Sequence, residues 1–131
     1  MLYWNVSEQI VRSLALEKLS KNKIKINGNN EQPYLDLARS LYQAFDLEKA
    51  LRAYEIAIHI KGNDAESYRD MGLTLHNLGR HKEAISAYTQ AIEFNPQDGI
   101  AHYYIGIVLQ QEGLLQRSKQ SFQKAIETCP H

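Results

Sequence analysis

Arranged in rows of 34, residues 31–131 align with themselves three times without a gap. In rows 31–64, 65–98 and 99–131, Tyr34 stands above Tyr68 and His102, Leu37 above Met71 and Ile105, and Ala38 above Gly72 and Gly106. Further along, Leu41 meets Leu75 and Leu109, Ala50 meets Ala84 and Ser118, and Tyr54 meets Tyr88 and Phe122. Ala57, Ala91 and Ala125 share a column, as do Ile58, Ile92 and Ile126, and Gly62 meets Pro96 and Pro130. A fixed period of this length confines the chain to an array of small units. None of them can bury its apolar face alone, so the core forms between neighbours.

Each row reads as a helix, a turn and a second helix. In the middle row Tyr68, Met71, Gly72 and Leu75 fall at i, i+3, i+4 and i+7, one face of an α-helix. Gly79-Arg80 interrupts the pattern, as glycine does past a helix end. Ala84, Tyr88, Ala91 and Ile92 then resume it. Asn95-Pro96 stops the second helix, because proline lacks a donor and disfavours the α region in the residue before it. Asp64 and Asp98 stand where N-caps belong. The small residues have a steric task, since two antiparallel helices approach to 8–10 Å only where a bulky side chain meets a small one. A Leu at Gly72 or Ala91 is expected to overpack the pair by ~1–3 kcal/mol.

These columns resemble the tetratricopeptide repeat, over residues 31–131. The departures are Ala38 for a glycine, Phe45 for the turn glycine, Gly62 for the closing proline and Ser118 for an alanine. The resemblance implies an all-α fold, a right-handed α-solenoid of three tetratricopeptide helix–turn–helix repeats with an N-terminal capping helix. It further implies that the first helix of each unit lines a concave groove for a partner segment. Carried over by column, the partner-binding residues would be Leu35, Arg39 and Tyr42, then Arg69, Leu73, His76 and Asn77, then Ile100, Tyr103, Ile107 and Gln110. Tyr42, Tyr103 and Ile107 would be apolar anchors, and Arg39, Arg69, His76 and Asn77 polar selectors. One subgroup of the family clamps a chaperone's terminal carboxylate. Its columns hold Leu35, Arg39, Asp70, Ile100 and Tyr104 here, of which only Arg39 suits an acidic tail, so that activity is not expected.

The ends of such an array need covering. In the third unit the column of Leu51 and Ile85 turns to Lys119, and that of Ile60 and Phe94 to Thr128. This edge is either a polar cap or a meeting place for another molecule. Residues 1–30 are expected to form a separate N-terminal segment. Ser7 to Ser20 would be an amphipathic capping helix, with Asn5 and Glu8 spaced as a capping box. A polar linker with a turn at Asn27-Gly28 would follow. The apolar Leu2, Tyr3, Trp4 and Val6 are expected to tuck against the protein or a second copy.

Chemistry is hard to find in this sequence. It holds no glycine-rich phosphate loop, no Gly-x-Ser-x-Gly and no His-Glu-x-x-His. His76 and His81 straddle a turn, away from the i, i+4 spacing of a helical metal pair. His102 takes a tyrosine column and reads as a packing ring. The lone Cys129 allows no internal disulfide and reads as a bystander. Fifteen basic and fifteen acidic residues balance, so no net field draws the chain to nucleic acid or an anionic membrane. No apolar run reaches the ~20 residues of a membrane span, and the start lacks a secretory pattern. The expectation is a cytoplasmic, non-enzymatic interaction module without metal or cofactor, whose partner is a protein or peptide. The alternatives are a homodimer through the third repeat or the terminal edges, serving assembly, and a three-repeat secretion-type chaperone.

Overall fold

The computed structural model describes residues 30–128. The expected capping helix, linker and apolar start, together with Cys129 and Pro130, lie outside these residues. Within them are six helices and no strand: α1 (Gln32–Gln43), α2 (Leu47–Ile60), α3 (Ala65–Asn77), α4 (His81–Phe94), α5 (Gly99–Gln111) and α6 (Leu115–Thr128). They pair as the 34-residue period requires, two to a row. The chain divides into two compact units, one up to Asn63 and one from Asp64 onward.

The first unit is the hairpin α1–α2. Pro33 lies in the first turn of α1, where its missing N–H costs nothing. Tyr34, Leu37 and Ala38 are buried with Ala50, Leu51, Ala53, Tyr54 and Ala57 of α2. Between the helices Phe45 carries the turn with φ of 60°, and Gly79 and Gly113 take the same column with φ of 79° and 80°. This left-handed conformation suits glycine, and a bulky side chain adopts it only under strain. Phe45 pays that strain while 87% exposed.

The second unit packs α3–α4 and α5–α6 as two hairpins, with α5 set against α4. The close approach inside each hairpin is made by glycine. A Cβ on Gly72 would lie 2.7 Å from the Tyr88 ring, and one on Gly106 2.6 Å from the Phe122 ring. Asp64 and Asp98 are the N-caps of α3 and α5, accepting from Glu66 N and Ala101 N. Ser118 is buried in the alanine column, and its hydroxyl donates to the Gly106 carbonyl at 2.8 Å. That bond satisfies the polar group which the substitution brings inside.

Candidate functional site

Packing takes one side of each first helix, and the other side differs from column to column. The column of Leu35, Arg69 and Tyr103 has three different fates. Leu35 is 2% exposed, so its side chain offers no open partner-binding surface. Arg69 reaches the N-cap of the following repeat, its guanidinium 3.3 Å from both Asp98 carboxylate oxygens. The Asp98 side chain is only 4% exposed. It therefore satisfies the first turn of α5 and an arginine at once, and Arg69 serves as a brace between repeats. Tyr103 is 49% exposed, edge-on to Tyr104 at 5.8 Å and tilted against Phe122 at 5.8 Å.

In the next column Arg39, Leu73 and Ile107 are all half-buried. Tyr42 and His76 are half-buried and Gln110 is exposed. His76 is held to α5 by a 2.7 Å hydrogen bond between its Nε2 and Gln111 Oε1. Its ring stands edge-on to His81, whose Nδ1 meets Glu112 Oε1 at 2.5 Å. These side chains tie the turn after α3 to the end of α5. Asn77 is exposed at the last position of α3. Within the second unit the structure brings Leu73, His76 and Asn77 together on α3, and Tyr103, Ile107 and Gln110 on α5.

Ile100 and Tyr103 do not stand alone. With Tyr104 of α5 and Phe122, Ala125 and Ile126 of α6 they line an open groove of about 910 Å³. Ile100 is 52% exposed and Ile126 70% exposed. Sequence reasoning placed Ile100 and Tyr103 on the first-helix face and assigned no role to Ile126. The columns alone could not show this groove, which is open because no helix follows α6 in the described residues as α5 follows α4.

His102 is held below the ordinary histidine range, first by burial and then by Lys124, with Asp98 pulling the other way. Among the described residues no cluster of His, Cys, Asp or Glu is arranged to hold a metal ion. No helix there is long and apolar enough to cross a membrane.

Solved structures with this architecture are numerous. A crystal structure of MamA superposes with a TM-score of 0.79 at 22% identity, covering 95% of this chain and 69% of that one. The second TPR of Spaghetti (RPAP3), bound to the HSP90 peptide SRMEEVD, gives 0.74 at 20% identity, covering 79% of this chain and 95% of the other. A CopN–Scc3 complex gives 0.75 at 16% identity, covering 85% of this chain and 65% of its counterpart. At these identities the likeness is one of fold. No curated protein matches the sequence. A model of the tetratricopeptide repeat matches residues 37–103, just over half of the chain. With its 34-residue helix pairs and the glycine–aromatic contact inside them, the chain belongs to the tetratricopeptide repeat family.

Proposed function

We propose that this chain is a non-catalytic, cytoplasmic protein–protein interaction module whose first-helix faces receive a segment of a protein partner. One observation carries the reading. The third repeat leaves Ile100 and Tyr103 about half exposed on α5, whereas Arg69, in the Tyr103 column of the second repeat, is occupied by Asp98. Exposed apolar side chains gathered on one face mark interaction surfaces. The polar clusters nearby serve structure, with Asp98 capping α5 and His76 and His81 joined to its far end.

The neighbours support the same role, since one carries a bound peptide and another is a complex of two proteins. The partner segment differs in character from the acidic SRMEEVD peptide of the RPAP3 structure. Asp70 lies on α3, Leu35 is buried, and Arg69 is engaged, which leaves an apolar or aromatic segment as the better fit. Affinity capture with the wild-type chain and with a Tyr103→Ala/Ile107→Asp double variant tests this. The partner is expected to be retained by the first and lost by the second at unchanged helicity. Equal capture by both would refute the assignment of the face.

A further inference from the structure

The second repeat shows what the open side of the third is shaped to hold. In the second, the Tyr88 ring lies against Gly72 on one side and stacks on Tyr104 of α5 on the other, 5.6 Å between centroids and 19° between planes. Tyr88 sits six residues before the end of α4 and Tyr104 six residues after the N-cap of α5, so the two helices run antiparallel. Covered in this way, Tyr88 is fully buried, as is Ala91 one turn on. In the third repeat Phe122 lies on Gly106 in the same way, but its outer side opens into the groove with Tyr103, Ala125 and Ile126.

The two faces differ at one informative place. One turn before Tyr88 stands the half-buried Ile85, and one turn after Tyr104 stands the fully buried Val108 of α5. One turn before Phe122 stands Lys119, which is exposed and has no ion-pair partner among the described residues. A helix that copied α5 would set an aliphatic side chain against that ammonium group. A helix with a carboxylate there would pair with it, while an aromatic one turn earlier covered Phe122.

We propose that the groove between α5 and α6 is the docking site for an amphipathic helix of a protein partner, one that lays an aromatic side chain over Phe122 and, four residues later, a carboxylate against Lys119. The proposal rests on the chain being an interaction module, and extends the face of Ile100 and Tyr103 onto α6 with the chemistry of its ligand. Charge selects this occupant over two others. A second copy pairing α6 with α6 would bring together helices that each carry Arg117, Lys119 and Lys124 against Glu127 alone. The chain's own residues 1–30 carry five basic and two acidic side chains, the wrong sign for Lys119.

The probe is a labelled, end-capped helical peptide of residues 98–112 of this chain carrying Val108→Glu, which places a carboxylate four residues after Tyr104. Its fluorescence anisotropy is titrated with the full chain. The Val108→Glu peptide is expected to bind at least tenfold more tightly than the unmodified peptide. Lys119→Glu in the protein should reverse that order, and Ile126→Asp should weaken the probe at least tenfold, both with unchanged circular dichroism. Absence of binding, or the same order of peptides on the Lys119→Glu protein, overturns the proposal. So does a dimer in light scattering that Ile126→Asp dissociates, or displacement of the probe by a peptide of residues 2–20. Capture that depends on Tyr103 and Ile107 but is indifferent to Lys119 would leave the proposed function standing and remove this one.

Discussion

Replacing each buried glycine by alanine separates two repeats that look alike in sequence. Both Gly72 and Gly106 lie inside helices, so each change gains about 1 kcal/mol of helix propensity. Both also thrust a Cβ into an aromatic ring, 2.7 Å from Tyr88 in one case and 2.6 Å from Phe122 in the other. Ordinary contact requires the ring to retreat by roughly 0.7 Å. Tyr88 has nowhere to go, since Tyr104 stacks on its other face and the residue is fully buried. Overpacking at such a site costs about 1–3 kcal/mol, which offsets the propensity gain or exceeds it, and Gly72→Ala is expected to destabilise by up to about 2 kcal/mol in sum. Phe122 borders the open groove and can swing into it. Gly106→Ala should therefore keep most of its propensity gain and end within about 0.5 kcal/mol of the wild type or above it. Urea unfolding followed by far-ultraviolet circular dichroism reads the difference as a separation of midpoints. Equal losses from both variants would refute the reasoning that the outer side of Phe122 is unpacked.

Three further perturbations test the fold's local devices. Phe45→Gly should stabilise the chain by about 1 kcal/mol, a thermal midpoint a few degrees higher, because it relieves the φ of 60° without removing a buried side chain; a lower midpoint would show that the ring is held by contacts. Asp98→Ala should cost about 2–3 kcal/mol and Asp64→Ala about 1 kcal/mol in thermal unfolding, because Asp98 caps a helix and holds Arg69 whereas Asp64 caps and binds Ser67. Equal costs would deny the brace. The pKa of His102 is lowered in the folded chain, so the unfolded chain binds more protons just below pH 6.5. Its stabilising contribution is complete above that value and declines as pH falls toward the depressed folded value, and His102→Gln should flatten this part of the stability profile relative to wild type.

The period made the helix pairs legible, together with their turns, the two aspartate caps and the glycine–aromatic contact, because each recurs in a column and depends on local rules. Even the departures had visible consequences. Phe45 in a glycine column carries a φ of 60°, and Ser118 in an alanine column meets the Gly106 carbonyl. The surface was harder to read. Arg69 looked like a free selector because its partner, Asp98, lies 29 residues away and already had a role as a cap. Leu35 shares a column with two more exposed residues and is nonetheless buried, a difference the repeat does not encode. For the same reason Ile126 gave no signal as a groove residue. Its column is apolar in every row, and among the described residues no helix lies over it on α6.

The first-helix faces of the second unit, rather than its second-helix faces, are expected to meet the partner of the proposed function. Hydrogen exchange on the complex with the captured partner measures this most directly. Protection gained on binding is predicted to concentrate in Ala65–Asn77 and Gly99–Gln111, the segments bearing Leu73, His76, Tyr103 and Ile107. Protection confined to His81–Phe94, with those two helices unchanged, would contradict it.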